Sequence, residues 1–346
     1  MIQKLILKNF RNFASQEFLF VSRKNMIIGE NGHWKTNILE ALSLFSGHSL
    51  SGLDFNTLVK QGQEYFYIEV LMDCWDTLSL HYDIASAKKT YQVNKKTSSK
   101  PKMLAVSYTT VHFSPIIMNM MYLWPTLRRD FLDTMLKHSF SEYTTLLKKY
   151  KEILKNRNQF LKSIAAGHSL KKDISFWDDR FIELAASIYA YRFHVTQYLS
   201  DHIDMCQDFF WENKKQVQFL YISKVNKLSI AADIQASLSK NIDRDIILWK
   251  TNIGPHIDDF SITLDGTPLT DFASRWEVKS TIIALKILEA KFIEYKTEKK
   301  PLLLIDDLLS ELDHIHTNYL FDRIGEYQSA ITSIYWKFGG ENIIEL

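Results

Sequence analysis

The stretch Gly29-Glu-Asn-Gly-His-Trp-Lys35-Thr36 decides how this chain reads. It follows an apolar run, Met26-Ile-Ile28, and precedes Ile38, Leu39, Leu42 and Leu44-Phe45 at helical spacing, with Gly47 as a stop. Strand, glycine loop and helix in that order are the context in which G-x-x-x-x-G-K-[ST] holds phosphate. In such a loop successive backbone N–H groups and the helix N-terminus surround the phosphates. Lys35 then neutralises the β- and γ-phosphates and the Thr36 hydroxyl holds Mg²⁺. One element departs: the residue before the lysine is Trp34, where glycine is expected because the backbone passes close to phosphate and often needs positive φ. Gly29, Glu30, Asn31, Gly32, His33, Trp34, Lys35, Thr36 and Asn37 are the candidate nucleotide-binding residues.

A second motif supports the first. Leu302-Leu-Leu-Ile-Asp306-Asp307 is an apolar strand that ends in two carboxylates. That arrangement lets Asp306 reach Mg²⁺ through water and sets Asp307 near an attacking water, so both acids are catalytic candidates and Thr36 with Asp306 the metal candidates. Ser310-Glu-Leu-Asp313 follows at once and matches the loop that ABC-type ATPases place across a dimer interface.

Outward from these motifs, residues 1–30 read as strands, and residues 64–95 alternate as antiparallel strands with a hairpin. Ser141 reads as the N-cap of a long helix through Ser163, and a second begins near Phe176, with Gly167-His-Ser-Leu as the turn between them. Strand character returns at Val217–Tyr221 and Phe260–Leu264, where Asp265-Gly266 is a hairpin pair. A helix over Val278–Tyr295 precedes Leu302–Ile305, a short apolar run suited to a central parallel strand.

At roughly 150 residues per domain, 346 residues make about two domains. Two cysteines, Cys74 and Cys206, are too few for a disulfide scaffold, and lysines interrupt the first apolar residues before a signal core forms, so the expected compartment is the cytoplasm. The longest uncharged stretch, from Leu104 to Leu127, contains two prolines and several polar residues, which excludes a membrane helix there. A net charge of +2 requires any nucleic-acid partner to be held by a local basic patch. His112 and His256 show no metal-ligand spacing and read as structural.

The chain resembles the RecF family of DNA replication and repair proteins, relatives of the SMC and ABC-type ATPases. The resemblance rests on Leu7-Lys-Asn-Phe-Arg-Asn12, the loop from Gly29 to Glu40, Phe113-Ser-Pro115 and Pro125-Thr-Leu-Arg128-Arg129-Asp-Phe-Leu-Asp133. Tyr150 to Leu161, Trp177-Asp178, Gly254-Pro-His256, Asp258-Asp259, Phe272-Ala-Ser274 and Asp306 to Asp313 extend it to the whole chain.

The resemblance implies an α/β fold: an ABC-type P-loop ATPase head, a mixed β-sheet with flanking helices, plus a helical arm or lid domain. The implied boundaries are 1–112 for the first part of the head, 113–212 for the arm and 213–346 for the second part with the signature, Walker B and D-loop motifs. It further implies ATP and Mg²⁺ as cofactors and an ATP-dependent homodimer on DNA. Arg11 would lie near the nucleotide, Ser310 and Asp313 at the dimer loop, and Ser274 would act in trans on the partner's ATP. The implied biology is binding of gapped or single-strand/double-strand junction DNA in the response to DNA damage and the SOS response. RecR and RecO would be partners and RecA would be loaded.

Several family positions differ here. Trp276 stands for glycine in the signature Ser274-Arg-Trp-Glu-Val-Lys279, and Trp124 and Trp249 stand for glycines in two further motifs. With Trp34, four of the eight tryptophans occupy tight-turn positions, while glycine totals only 11, about half its usual share of roughly 7%. One shared cause accounts for this: a source that reads the codon UGA as glycine, translated here as tryptophan. On that reading the chain is a weak DNA-stimulated ATPase. Ile257, Glu277, Val278 and Ile116 also replace family residues and bear on the trans contacts and on hydrolysis.

For DNA, Lys148, Lys149, Lys151, Lys155, Arg157 and Lys162 form a basic stripe on the first long helix, followed by Lys171 and Lys172, and Arg128 and Arg129 match a family signature. The two arginines could equally pair with acids such as Asp133. Three readings stand: a DNA-repair ATPase, a DNA- or protein-binding scaffold without ATP turnover, and a P-loop kinase or other phosphotransferase.

Overall fold

The computed structural model describes residues 1–30, 34–46, 54–204, 216–334 and 342–346. Asn31, Gly32, His33, Gly47 and Cys206 lie outside the described residues. The chain divides into two units, residues 1–118 with 289–346, and residues 119–288.

The first unit is built on two sheets. Strands β1 (Ile2–Phe10), β2 (Phe13–Leu19), β4 (Tyr65–Met72), β5 (Thr77–Asp83), β6 (Lys88–Val93) and β7 (Lys96–Ser98) form an antiparallel sheet in the order β2-β1-β4-β5-β6-β7. The alternation read in residues 64–95 has its expected cause: Phe66, Ile68, Val70, Leu78 and Leu80 are buried on one face while their neighbours point away. The other sheet is parallel, in the order β14-β3-β13-β12-β8, and joins β3 (Lys24–Ile28), β8 (Thr110–Phe113), β12 (Leu302–Ile305), β13 (Ser329–Ser333) and β14 (Asn342–Glu345). All of β12 and β13 is buried, which is why β12 reads as an unbroken apolar run.

Helix α1 (Lys35–Ser43) inserts Ile38, Leu39 and Leu42 into a core that also holds Leu5, Leu7, Ile68, Ile27, Leu302 and Leu304, so both sheets and α1 share one apolar interior. Helices α2 (Lys100–Val106) and α9 (His314–Ile324) also belong to this unit.

Position in the parallel sheet locates the site. β13 lies between β3 and β12, with Ile331 level with both Ile305 and Met26. The carboxyl ends of β3 and β12 therefore emerge on the same edge, and the chain leaves them as Gly29 and Asp306. Ligands of open parallel sheets bind at that edge.

The second unit contains α3 (Pro125–Ser139), α4 (Tyr143–Ala165), α5 (Ser175–His202), α6 (Ile230–Leu248), α7 (Leu269–Phe272), the first part of α8 (Arg275–Thr297), and a small antiparallel sheet of β9 (Val217–Ile222), β10 (Asp259–Leu264) and β11 (Thr267–Pro268). α4 and α5 are the two long helices that the spacing predicted. Ser141 is not the cap of α4, however. Glu142 already has helical torsions and its carbonyl accepts from Leu146, leaving the Ser141 hydroxyl on the Glu142 carboxylate. α3, α6 and α9 went unread because their apolar faces are short and interrupted by charge.

Candidate functional site

The loop leaving β3 meets α1 at Trp34, which holds the left-handed conformation (φ 58°) and provides no side-chain cap. The first turn of α1 carries no acidic residue of its own. The Lys35 ammonium donates to the carbonyls of Gly29 (2.6 Å) and Glu30 (3.0 Å), and the side chain is buried. Asn37 N–H donates to the Trp34 carbonyl. The Trp34 ring is half exposed, edge-on to Phe13 at 6.1 Å, and walls a cavity shared with Asn12, Gln16 and Leu346.

Asp306 comes to the same place from β12. The Thr36 hydroxyl donates to its Oδ1 at 3.0 Å, and the Thr332 hydroxyl, from β13, donates to the same oxygen at 2.9 Å. Thr332 Oγ1 also accepts the Asp307 N–H at 2.8 Å, which holds Asp307 in a left-handed turn (φ 49°). One buried hydroxyl thus fixes both acids of the pair. Sequence reasoning missed Thr332, because its role depends on β13 lying between β3 and β12 and no local motif marks it. A hydroxyl beside a carboxylate, both oxygen donors, is the ligand chemistry that a hard divalent cation such as Mg²⁺ takes.

Arg11, also at positive φ (52°), grips Glu40 of α1 with two hydrogen bonds (2.7 and 2.8 Å) and donates to the Thr57 carbonyl. The hydrogen bond to Glu40 raises the pKa of the guanidinium. Ser310 Oγ donates to the Asp307 carbonyl, and Asp313 caps α9 by accepting the His316 N–H.

Ser274 enters a reciprocal cap with Glu277: its N–H donates to Glu277 Oε2 (2.7 Å), and the Glu277 N–H donates to its hydroxyl (3.2 Å). The pattern Ser274-x-x-Glu277 carried that signal in the sequence. Val278, the next departure from the family signature, is fully buried, so an apolar side chain fits there.

In the second unit the structure reassigns several charges. Arg157, counted in the basic stripe, is fully buried and bonds Asp178 (2.7 Å), Asp245 (3.1 Å) and Thr251 (2.7 Å), while Asn158 accepts from the Thr251 N–H. Lys171 pairs with Asp243. Asp133 is not the partner of Arg128 or Arg129. It accepts from Arg192 and from the Tyr143 hydroxyl, whereas Arg128 forks onto Asp259 with two 2.7 Å bonds and Arg129 donates to the Asp258 carbonyl. The planar guanidinium matches a carboxylate in this two-pronged way, which uses up the favoured donors of Arg128.

His256 Nδ1 lies 2.6 Å from the Tyr150 hydroxyl oxygen, and its Nε2–H donates to the Thr251 carbonyl at 3.1 Å. Burial pushes its pKa down to about 4. Gly254 (φ 127°) lies where a Cβ would come within 2.8 Å of the Tyr150 hydroxyl oxygen. The motifs of the helical region are thus tied together as the polar frame of one unit.

Lys148, Lys149, Lys151 and Lys155 remain exposed on α4, and among the described residues none of them forms an ion pair. Lys151, Lys155 and Lys162 border an open groove with Asn158, Gln159 and Trp249. The lysines recur along one side of the helix, with the exposed Glu152 among them.

Among known proteins, the model of the AAA domain family matches residues 4–319. The chain is 32% identical over 343 residues to the DNA replication and repair protein RecF of Thermoanaerobacter sp. (strain X514), covering 96% of this chain and 93% of the relative. It is also 32% identical over 346 residues to the protein of that name from Ruminiclostridium cellulolyticum, covering 96% and 92%. A solved structure of the recombination mediator protein RecF with ATP in the RecFOR pathway is similar with a TM-score of 0.86 at 27% identity, over 99% of this chain and 95% of that one. The SMC head bound to the C-winged helix domain of ScpA is similar with a TM-score of 0.56 at 14% identity, over 96% and 89%, a likeness of fold alone. The fold is thus that of an ABC-type ATPase head with a helical domain, as the motifs implied.

Proposed function

The chain belongs to the RecF family of DNA replication and repair proteins, and from that premise we propose that it is an ATP-dependent DNA-binding protein of recombinational repair and replication. The observation that carries this reading is the meeting of Lys35, Thr36 and Asp306 at one edge of the parallel sheet, with Thr36 and Asp306 3.0 Å apart. ATP binds with its phosphates on the N-terminus of α1 and its charge met by Lys35. Thr36 would hold Mg²⁺ directly and Asp306 through water, and the ion would supply positive charge to the phosphates. Asp307, fixed by Thr332, orients water for hydrolysis.

Two copies close on ATP, Ser274 of each reaching the nucleotide of the other and the Ser310 to Asp313 loop lying at their interface. The closed dimer grips duplex or single-stranded DNA at gaps and strand junctions through the α4 lysines. The two arginines, Arg128 and Arg129, reach DNA less directly, because both are engaged with Asp259 and Asp258. The protein acts in the cytoplasm after DNA damage, with RecR and RecO, to help load RecA. No helix among the described residues is long and apolar enough to cross a membrane.

One observation favours a second reading, a scaffold without ATP turnover: a tryptophan with a left-handed backbone holds the position before Lys35 where the phosphate motif calls for glycine. Sedimentation with gapped duplex, with and without Mg²⁺-ATP, separates the two, run on the chain as given and on a chain with glycine at 34, 124, 249 and 276. ATP-dependent dimers on DNA support the proposed function. A monomer that binds DNA equally with and without ATP, in both chains, overturns it. ATP hydrolysis that rises with DNA and needs no acceptor excludes a phosphotransferase.

A further inference from the structure

Of the eight tryptophans, six lie among the described residues, and three of these, Trp34 (φ 58°), Trp75 (φ 63°) and Trp249 (φ 51°), have left-handed backbones, whereas Trp124 (φ −63°) and Trp276, within α8, do not occupy the tight turns expected of them. For a bulky side chain that conformation is an outlier. The remaining aromatics provide an internal control: the chain has 22 Phe and 16 Tyr, and none of those described has positive φ. Ring size and hydrophobicity therefore do not explain the three.

At two of the three sites the hydrogen bonding is also that of a glycine position. Trp75 ends a three-residue loop between β4 and β5. Its N–H donates to the Met72 carbonyl (3.0 Å) and the Met72 N–H to the Asp76 carbonyl (2.9 Å), the type I turn with a bulge whose last loop position is left-handed and favours glycine. Trp249 follows α6 in a Schellman closure. Lys250 N–H donates to the Asp245 carbonyl (3.1 Å) and Trp249 N–H to the Ile246 carbonyl (3.4 Å), which places Trp249 at the position where helices most often carry glycine. Trp34 is the last residue before the phosphate-binding helix.

Burial points the same way. Trp75 is 78% exposed, and Trp249 and Trp34 are about half exposed, so the largest apolar side chain gains little at any of the three. Trp177 is the contrast: it is helical within α5 and packs against Phe160 and Phe176.

We infer that the protein made in its source carries glycine at 34, 75 and 249 and tryptophan at 177, the codon UGA being read as glycine. Position 75 is the decisive one. No nucleotide motif includes it, and its left-handed backbone belongs to the hairpin turn between β4 and β5. The consequence for position 34 deepens the ATP-site reading and rests on it. With glycine there the loop becomes Gly-Glu-Asn-Gly-His-Gly-Lys-Thr, and the strained tryptophan before Lys35 is gone.

The test is mass spectrometry of peptides from the natively produced protein covering 75 and 177, together with the coding DNA. Glycine at 75 with a UGA codon, beside tryptophan at 177 with a UGG codon, supports the inference. Tryptophan in the native peptide at 75, or a UGG codon there, overturns it. Neither readout depends on nucleotide, so failure of ATP binding leaves this result standing. ATP binding by the chain as given but equally by a Trp34→Gly variant would overturn only the consequence for position 34.

Discussion

The hydroxyl of Thr36 lies 3.0 Å from Oδ1 of Asp306, although the two residues are 270 positions apart. Thr332 holds that carboxylate from the other side at 2.9 Å and fixes the backbone of Asp307. The site is therefore assembled by three strands of one sheet, and its geometry depends on a threonine that makes no motif.

Thr332→Val keeps the volume of this fully buried side chain and removes its hydroxyl. In the chain with Trp34→Gly, Mg²⁺-dependent ATP affinity is expected to fall by about 10- to 100-fold, the usual loss when a group that orients a metal ligand is removed. Isothermal titration with and without Mg²⁺ checks this. An unchanged Mg²⁺ dependence would show that Thr332 does not position the site.

Lys151→Ala combined with Lys155→Ala is expected to weaken DNA binding at every sequence. The slope of log K against log salt should flatten by about two, near one for each phosphate that is no longer neutralised. Fluorescence anisotropy across a salt series measures it, and ATP affinity should stay as it was.

Removing Arg157 leaves Asp245, which is 1% exposed, as a buried charge without its cation. Arg157→Met is expected to destabilise the protein by about 3–5 kcal/mol. Urea denaturation followed by far-UV circular dichroism reads the change. A loss below about 1 kcal/mol would mean that the network around Asp178 and Thr251 is not what holds α4 to α6.

His256 has a folded pKa of about 4 against an ordinary 6.5, chiefly through burial. The unfolded chain binds more protons between those values, so the contribution is fully present above pH 6.5 and is lost as pH falls toward 4. His256→Gln should remove on the order of 3 kcal/mol of this pH dependence. The readout is the difference between the two proteins' stabilities measured from pH 7 to pH 4.

Trp75→Gly relieves a left-handed penalty of roughly 1–2 kcal/mol, partly offset by the greater freedom of glycine in the unfolded chain, so a gain of about 1 kcal/mol is expected. Little burial is forfeited, since the ring is 78% exposed. Trp177→Gly in the same protein should destabilise, because it removes a packed ring from a helix interior. Thermal unfolding of both variants decides between these signs.

The local sequence was enough wherever one short segment carries its own reason for its shape. The apolar run of β12 and its two terminal acids, the helix after Lys35, the alternating hairpins and the Asp265-Gly266 turn were all legible, because side-chain period and turn chemistry act over a few residues. The family motifs were legible too, but what several of them do was not. Arg157 and Arg128 read as available cations, yet one is wholly buried on Asp178 and Asp245 and the other is locked onto Asp259. A charge in a helix looks the same in sequence whether it faces water or a carboxylate dozens of positions away. Thr332 became part of the site only because β13 pairs between β3 and β12. The sequence by itself determined the strand before Gly29, the helix after it, the strand ending in paired acids and the family. Which charges stay free for DNA, which threonine holds the acids and which tryptophans are strained were decided only by tertiary structure, since burial, long-range pairing and the sign of φ arise when distant segments come together.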